Sequence, residues 1–363
     1  MAAEKTEKRK AEHIQICLEQ KAQTKTATAG FEDIKFVHRA LPEINREDIN
    51  LSTSFLNKTF SAPLIVGAMT GGTEAAIEIN QNIAVAVEKL GLGMGLGSQR
   101  AAVENYALEK TYAIARKAAP NAFLIANIGG IQLVHGYGVN EVRKVIEMID
   151  ADAVAIHLNA LQEAVQPEGQ TNFKGVLTKI CEVASKIDKP VIVKETGAGI
   201  SAEDAEALKN AGVDAIDVGG VGGTSFAAVE YYRGEKMLGE AFWDWGIPTV
   251  ASIVEVVQST KLPVIASGGV RTGINIAKAL TLGASLAGII QPVLETAVKS
   301  SKETEQLLIG LINELKNVLF LVGAKNIASL TDVPLVICHE TAEWLKMRGF
   351  NIEEYAIRGA FNT

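Results

Sequence analysis

The chain has 363 residues, of which 48% are hydrophobic and 21% are charged, and its formal net charge is −7. This composition is typical of a globular protein with a large core, and the negative charge argues against nucleic acid and anionic membranes as partners. Neither a signal peptide nor a membrane-spanning segment is expected, because the sequence contains no apolar run of suitable length. The three cysteines, Cys17, Cys181 and Cys338, are far apart, which favours a reduced, cytoplasmic compartment.

Short apolar runs alternate with helical patterns along the chain, at intervals of roughly thirty residues for most of its length, as in repeated β/α units. The predicted strands are Pro63–Ala68, Leu92–Ser98, Phe123–Asn127, Val154–Asn159, Val191–Lys194, Ala215–Gly219, Val264–Gly268 and Leu286–Gln291. The predicted helices between them are Glu74–Leu90, Glu104–Ala118, Asn140–Ile149, Phe173–Ile187, Ala202–Ala211, Val250–Ser259 and Thr272–Leu282.

Eight buried strands in sequence order favour a closed (β/α)8 TIM barrel over a doubly wound open sheet. We expect a single domain, with residues 1–60 as an N-terminal extension or lid, 61–300 as the barrel and 301–363 as C-terminal helices. The spacing breaks at Thr224–Thr249, which predicts a helix and a packed excursion over the mouth of the barrel.

The fourth predicted strand carries the most informative pattern, within residues 153–163 (AVAIHLNALQE). Alternation places His157 and Asn159 on one face of this strand and aliphatic side chains on the other, and Gln162 and Glu163 follow in a predicted loop. Polar groups that converge at the C-terminal end of a strand are typical of a barrel active site. A core histidine with satisfied hydrogen bonds is the alternative interpretation.

Two glycine-rich loops follow the sixth and seventh strands, Gly219–Thr224 (GGVGGT) and Ser267–Gly273 (SGGVRTG). Such loops bring backbone N–H groups close to an anion, and in barrels they are the usual phosphate-binding site. Tight turns alone could explain one glycine-rich loop, but two neighbouring loops that also carry Thr224 and Arg271 favour a phosphate ligand.

Several cations could serve an anionic ligand. Lys194 shares a strand face with Ile192, so we expect it to point into the barrel, where a lysine needs an anion or an electron-rich ring. A surface lysine at the strand end is the alternative, and Arg100, which follows the second strand, is interpreted in the same way. The basic tract Lys8–Lys10 near His13 would in isolation be a solvated surface.

Taken together, these motifs resemble the type 2, FMN-dependent isopentenyl-diphosphate isomerases from about residue 9 to the C-terminal helices. The resemblance rests on Arg9-Lys10 with Glu12-His13, MTGG at 69–72, GSQR at 97–100, Asn127, HLNALQE at 157–163, QPEG at 166–169, Lys194-Glu195, Gly222-Gly223-Thr224, Asp244-Trp245-Gly246 and SGGVRTG at 267–273.

The resemblance implies the interconversion of isopentenyl and dimethylallyl diphosphate in isoprenoid synthesis. It also implies FMN that is active in its reduced form, NADPH as the priming reductant and Mg²⁺, and we expect a homo-oligomer. Direct removal of an allylic proton is difficult for ordinary side chains, whereas a reduced flavin can hold a proton and stabilise a nearby cation.

The resemblance also implies roles for individual residues. FMN is expected to contact Ala68, Met69, Thr70, Ser98, Asn127, Lys194, Thr224, Gly269, Arg271 and Gln291. The substrate diphosphate is expected near Arg9, Lys10, His13, Arg100, His157, Asn159 and Gln162. Gln162, His157 and Lys194 are the expected catalytic residues, and Glu163 is the expected ligand of Mg²⁺, an ion that typically binds one or two carboxylates and phosphate oxygens.

Two other functions remain open at this point. A flavin oxidoreductase on the same fold would consume reductant stoichiometrically, but the two glycine-rich loops lack the catalytic histidine of flavin enzymes that oxidise 2-hydroxy acids. No cysteine lies at a strand end, where the nucleotide dehydrogenases and reductases of the barrel class carry a nucleophile. A barrel that only binds a phosphorylated ligand would be colourless and inactive.

Overall fold

A computed structural model of the chain describes residues 2–19 and 22–359, with side chains from Arg9 onward. Eight parallel strands close into a barrel, in which each strand pairs with its neighbours in the sequence and the eighth pairs with the first. The predicted (β/α)8 TIM barrel is therefore confirmed. Its strands are β1 (Leu64–Val66), β2 (Gly93–Gly95), β3 (Phe123–Gly129), β4 (Ala153–Leu158), β5 (Val191–Glu195), β6 (Ala215–Asp217), β7 (Val264–Ser267) and β8 (Leu286–Ile289).

An outer layer of helices covers the barrel strands. Its main helices are Glu74–Leu90, Lys110–Ala118, Val139–Met148, Val176–Lys186, Ala202–Asn210, Thr249–Thr260, Gly273–Thr281 and Ser301–Val322. The sequence specifies their ends locally, as Ser201 accepts a hydrogen bond from the Asp204 N–H at 3.2 Å and thereby caps one helix. Gly91 ends another helix at a φ of +62°, a conformation that glycine adopts without steric cost.

The prediction of one helix over Glu104–Ala118 is wrong, because Asn105 interrupts the helical conformation. That residue has an extended conformation, and its side chain accepts the Ala107 N–H at 3.2 Å, which starts a separate turn. The segment therefore forms three elements, which are the helix Arg100–Glu104, the 3₁₀ turn Tyr106–Leu108 and the helix Lys110–Ala118.

Most strand boundaries also differ from prediction by one to three residues, and three differences bear on the site. The second strand is confined to Gly93–Gly95, and the backbone beyond it approaches the first strand's loop so closely that a Cβ atom on Gly97 would lie 2.6 Å from the Thr70 carbonyl carbon. The predicted loop after β4 is the short helix Ala160–Val165. The predicted eighth strand stops before Gln291, where a helix begins with proline in its first turn.

The barrel interior is filled by a layer of apolar side chains from alternating strand positions. These side chains are Ile65, Phe123, Ile125, Ala153, Ala155, Ile192, Ala215, Ile265 and Leu286. Phe55 and Phe60, from the hairpin strands Thr53–Phe55 and Lys58–Phe60, pack against Phe123, the first edge-on at 6.1 Å between ring centroids and the second tilted at 5.6 Å. This hairpin closes one end of the barrel, so chemistry is confined to the other end.

A strand before the barrel pairs with a strand after it. Ile34–Phe36 pairs antiparallel with Leu335–Ile337, a strand that the sequence did not predict among the C-terminal helices. The remaining C-terminal helices are His339–Met347 and Glu353–Ile357. Short 3₁₀ turns occur at Phe31–Asp33, Arg46–Asp48 and Ala328–Asp332, and further short helices at Gly130–Val134 and Gln291–Ala297.

Two segments cover the mouth of the barrel. The first is the N-terminal helix, Ala2–Leu18. The second is the predicted excursion, which forms the helices Phe226–Arg233 and Lys236–Ala241. Among the described residues, no helix is both long and apolar enough to cross a membrane.

Candidate active site

A cavity lies at the C-terminal ends of the barrel strands, with the N-terminal helix along one wall. Every residue that the sequence predicted for the site lines this one cavity. These residues are Arg9, Lys10, His13, Ala68, Met69, Thr70, Ser98, Arg100, Asn127, His157, Asn159, Gln162, Glu163, Lys194, Thr224, Gly269, Arg271 and Gln291. Their convergence supports the location of the site, while their individual roles remain predictions.

Strand register brings the central polar residues side by side. His157 on β4 pairs with Lys194 on β5, and Lys194 pairs in turn with Asp217 on β6. Asp217 is buried and accepts a hydrogen bond from Ser267 on β7 at 2.5 Å. Four neighbouring strands therefore supply one continuous row of polar side chains.

Asn127 fixes both the orientation and the tautomer of His157. The Asn127 Nδ2 atom donates to the Leu96 carbonyl at 2.9 Å, so its Oδ1 atom accepts a hydrogen bond from the His157 Nδ1–H at 2.8 Å. Burial lowers the pKa of His157 to about 3, and the charges of Lys194 and Lys10 add to the effect. His157 is thus a neutral imidazole that can accept a hydrogen bond at Nε2, rather than a cation.

Lys194 points into the barrel, as predicted. The side chain is 7% exposed, and Ile192, two residues earlier on the same strand face, belongs to the interior core. The Lys194 Nζ atom donates to the Glu195 carbonyl at 2.6 Å. Two of its three donors remain available to a ligand with negative charge.

An oxygen-rich corner surrounds Glu163. Its carboxylate accepts hydrogen bonds from Asn159 Nδ2 at 2.9 Å, Gln166 Nε2 at 3.1 Å and the Gln170 N–H at 2.7 Å. Asn159 Oδ1 and Gln166 Oε1 are buried and have no hydrogen-bond partner among the described residues. Two orphaned acceptors beside a carboxylate fit a hard cation or a protonated donor. The described residues contain no cluster of three or more metal-ligating His, Cys, Asp or Glu side chains.

The glycine-rich loops form the opposite end of the cavity. The Arg271 guanidinium donates to the side-chain oxygen of Gln291 at 2.6 Å and to that of Gln23. The bond to the Gln23 oxygen fixes the orientation of this amide group. The Gln23 Nε2 atom is buried and has no acceptor among the described residues. A buried orphan donor beside an arginine fits a bound anion. Burial lowers the pKa of Arg271, which also favours a negatively charged partner.

Close approach of the two loops requires glycine at their junction. Gly268 has a φ of +104°, and a Cβ atom there would lie 2.1 Å from the Gly220 carbonyl oxygen. Gly269 has a φ of +67°, and its added Cβ atom would lie 2.4 Å from the Gly222 carbonyl oxygen. The glycines therefore pack the two loops together, and the packed loops expose backbone to the cavity.

Lys10 connects the N-terminal helix to the barrel. Its Nζ atom donates to the carbonyls of Gly71 and Ser98 and to the Tyr112 hydroxyl, each at 2.7 Å. Burial lowers its pKa to about 7, with smaller contributions from Arg9 and Arg100. All three ammonium donors are engaged, so contact with a phosphate requires Lys10 to exchange one of these acceptors.

An ion-pair network holds the other side of the N-terminal helix. Arg233 binds Glu12 at 3.1 Å, Glu168 at 2.9 Å and the buried Glu230 at 2.5 Å. Glu230 also lies 3.2 Å from His13 Nε2, without hydrogen-bonding geometry, and burial lowers the pKa of His13.

Two arginines of the predicted substrate set lie at the rim of the cavity. Arg9 makes a longer ion pair with Glu168, at 3.9 Å, and Arg100 pairs with Glu104 at 2.7 Å. Both arginines line the cavity and are partly exposed, so they can reach an anionic ligand.

Several residues of the site were not assigned by sequence reasoning. Gln23 lies in the N-terminal extension, where no pattern linked it to Arg271. Glu195 was quoted only as part of a motif, yet it lines the cavity and is buried. Asp217 ends β6, and Gln166 directly follows the short helix after β4. The rule that located His157, that site residues follow the C-terminal ends of barrel strands, could have located both.

Fold and site together define an FMN-type (β/α)8 barrel, with an anion-binding loop pair after β6 and β7 and an inward lysine on β5. The chain matches the FMN-dependent dehydrogenase family over residues 2–125 and 140–336. A flavocytochrome b2 variant with sulfite bound has the same fold, with a TM-score of 0.67 and 17% sequence identity, covering 94% of this chain and 85% of that one.

Relatives that match nearly the whole chain identify a more specific family. An isopentenyl-diphosphate delta-isomerase of Methanosarcina barkeri is 48% identical over 361 residues, which cover 98% of both chains. Its namesake from Methanothermobacter thermautotrophicus is 50% identical over 351 residues, which cover 96% of this chain and 99% of that protein. The chain belongs to the isopentenyl-diphosphate delta-isomerase family.

Proposed function

We propose that this protein interconverts isopentenyl and dimethylallyl diphosphate in isoprenoid biosynthesis, with reduced FMN and Mg²⁺. The observation that carries the proposal is that one cavity has residues that can bind an anion at one end and residues that can bind a cation at the other. At the first end lies Arg271, whose partner Gln23 has an orphan donor, and at the second lie Glu163 and two orphan acceptors. A phosphorylated cofactor and a diphosphate–metal complex would satisfy both.

The FMN phosphate is expected at the glycine-rich loops. The backbone N–H groups of Gly223, Gly269 and Val270 make no hydrogen bond to another described residue, so they are available to phosphate oxygens. Arg271 and Gln23 Nε2 would complete this site. When bound in its reduced form, FMN supplies an electron-rich ring that can hold a proton and stabilise an adjacent carbocation.

Lys194 is expected to bind the flavin ring through its free ammonium donors. It is buried beside the polar row of β3 to β7, and a reduced flavin carries negative charge that a lysine would stabilise. The ring would also contact residues on the ends of β1 to β3, which are Ala68, Met69, Thr70, Ser98 and Asn127.

The substrate diphosphate is expected between the N-terminal helix and β4. Arg9 and Arg100 are the available cations, Lys10 can join them by exchanging an acceptor, and His13 and Asn159 line the same wall. His157 would contribute as a neutral hydrogen-bond acceptor at Nε2. Gln162 would orient the hydrocarbon end, because its carbonyl is held by Asn159 Nδ2 at 3.2 Å and its amide N–H groups are free to face a ligand.

Glu163 is the expected protein ligand of Mg²⁺. Glu163 would hold the ion, with the orphaned oxygens of Asn159 and Gln166 beside it, and the ion would supply positive charge that offsets the carboxylate and the diphosphate. Without a cation, the Glu163 carboxylate would repel the substrate.

NADPH is the proposed priming reductant, and the cytoplasm is the proposed compartment. The latter rests on Cys17, Cys181 and Cys338, which are all unpaired and widely spaced. We also propose that the protein is a homo-oligomer, with a subunit number that analytical ultracentrifugation would measure.

A flavin oxidoreductase is the second candidate, because the fold is shared with oxidising enzymes such as the flavocytochrome b2 variant. The two functions differ in their use of reductant. We expect each FMN, once reduced anaerobically, to support many turnovers of isopentenyl diphosphate without further NADPH oxidation. Consumption of one NADPH per product would overturn the isomerase and favour the oxidoreductase.

A further inference from the structure

Glu195 is a buried carboxyl group that the proposed function leaves unused. It ends β5 directly after Lys194 and is 8% exposed. Its Oε2 atom accepts the backbone N–H groups of Thr196 and Gly197 at 2.6 Å and of Ala198 at 2.5 Å. Such a set of three donors fixes the carboxyl group in one orientation.

The other oxygen of this carboxyl group is not used by the fold. Glu195 Oε1 makes no hydrogen bond to a described residue, and it is not among the enclosed orphan atoms. The residue lines both the main cavity and a small adjoining cavity beneath Phe226 and Trp243. A fixed carboxyl group with one free oxygen at a cavity is the arrangement of a proton-transfer group.

Gln162 lines the same two cavities. Its carbonyl is held by Asn159, so its amide N–H groups can bind a water molecule but cannot themselves release a proton at neutral pH. The polar residues that line the small cavity are Thr24, Gln162, Glu195, Thr196 and Ser225, which give a water enough partners.

We propose that Glu195 is the proton-relay residue of the isomerisation and acts through a water held by Gln162. This inference rests on the proposed function. The allylic C–H bond breaks, its electron pair becomes the new C=C bond, and its proton passes through the water to Glu195 Oε1. The former π pair would form the new C–H bond with a proton that reduced FMN would supply when bound. The proton on Glu195 would return through the same water, so the protons balance over each cycle and no electrons are transferred.

Titration of Glu195 is consistent with this role. Burial raises its pKa to about 7, against the lowering effects of the Ala198 and Gly197 N–H groups and of Lys194. The other titratable groups of the surrounding elements are His157 on β4, Asp217 on β6 and Lys10 on the N-terminal helix. A carboxyl group poised near neutrality can both take and return a proton.

The test compares Glu195→Gln and Glu195→Asp with wild type, using Asp33→Asn as the matched control. Asp33 is an acidic residue that is 9% exposed and does not line the cavity, and its side chain also accepts a backbone N–H, from Thr341 at 3.0 Å. With FMN bound, we expect Glu195→Gln to lower kcat by about 10²-fold and to lose the acid limb of the wild-type pH profile near pH 7. Glu195→Asp should keep that limb with an intermediate kcat.

A second measurement does not depend on turnover. Difference infrared spectra of the apoprotein should show a carboxyl C=O band that titrates near pH 7 in wild type and in Asp33→Asn, and that is missing in Glu195→Gln. Unchanged kcat and an unchanged acid limb in Glu195→Gln would overturn the relay while leaving the isomerase intact. A wild-type protein that does not isomerise the substrate would overturn the proposed function and the relay together.

Discussion

His157 lies directly beside Lys194 in the barrel wall, because the two residues are register partners on β4 and β5. Burial is the main cause of the low pKa of His157, about 3, and the neighbouring Lys194 charge is the second. With Nδ1 donating to Asn127, neutral His157 presents only the lone pair of Nε2 to the cavity, so it would accept a hydrogen bond from a ligand rather than bind the diphosphate as an imidazolium. The first prediction tests this conclusion.

The His157 resonances should not titrate between about pH 8 and pH 5, whereas an unperturbed histidine changes charge near pH 6.5. The assignment comes from the signal that disappears in His157→Gln. Unfolded His157 binds a proton below about pH 6.5 and folded His157 does not until about pH 3, so this residue lowers the free energy of unfolding as the pH falls through that window. A midpoint above pH 5 would contradict the account.

Replacing Lys194 should weaken FMN binding. Lys194→Ala removes a buried cation from the cavity, and we expect the FMN dissociation constant to rise about tenfold or more, or ~1.4 kcal/mol. Lys189→Ala is the matched control, because Lys189 is exposed near the opposite end of the same strand. Equal FMN retention in the two variants would mean that Lys194 does not contact the flavin.

Arg9 and Lys10 are adjacent, but we expect their replacement by alanine to have different effects. Arg9→Ala should raise KM for the diphosphate and leave FMN binding unchanged, since its partner Glu168 lies 3.9 Å away at the rim of the cavity. Lys10→Ala should in addition expose the N-terminal helix to proteolysis, because three hydrogen bonds to the barrel are lost. Limited proteolysis and steady-state kinetics measure both effects, and an unaltered KM in Arg9→Ala would remove it from the substrate site.

Lys10 also predicts a dependence of stability on pH. Its pKa is about 7 in the folded protein and about 10.4 in an unfolded chain, so between these values the unfolded state binds more protons. The contribution of Lys10 to the free energy of unfolding should therefore rise with pH across this window. Lys10→Met should flatten that part of the profile in chemical denaturation of the apoprotein.

Glu163→Gln should weaken activation by Mg²⁺ specifically. The amide keeps the shape of the side chain and removes the charge, so the Mg²⁺ concentration for half-maximal activity should rise about tenfold or more, or ~1.4 kcal/mol. EDTA should abolish wild-type activity without releasing FMN, and Mg²⁺ should restore it. A wild-type Mg²⁺ dependence in the variant would mean that substrate and water alone hold the ion.

The polar residues near the C-terminal ends of the strands were the most predictable part of the site, although the strand boundaries were not. Alternation placed Ile192 and Lys194 on the inner face of β5, and the rule that barrel sites lie at the C-terminal ends of strands located His157 and Asn159. These inferences depend only on local periodicity and on one property of the fold, both of which a single sequence contains.

Contacts between segments that are distant in the sequence could not be predicted from local periodicity. The hydrogen bond from Arg271 to Gln23 joins residues 248 positions apart, and the Lys10 contacts with Ser98 and Tyr112 depend on where the N-terminal helix docks. The break at Asn105 was missed because side-chain capping overrode a helical apolar pattern.

Anaerobic isomerisation of isopentenyl diphosphate by the apoprotein, the oxidised holoenzyme and the reduced holoenzyme tests the central claim most directly. Proton NMR of the substrate and product measures all three under the same Mg²⁺ concentration. We predict dimethylallyl diphosphate only with reduced FMN, at many turnovers per flavin. Full activity of the apoprotein or of the oxidised enzyme would contradict the assignment of reduced FMN to the reaction.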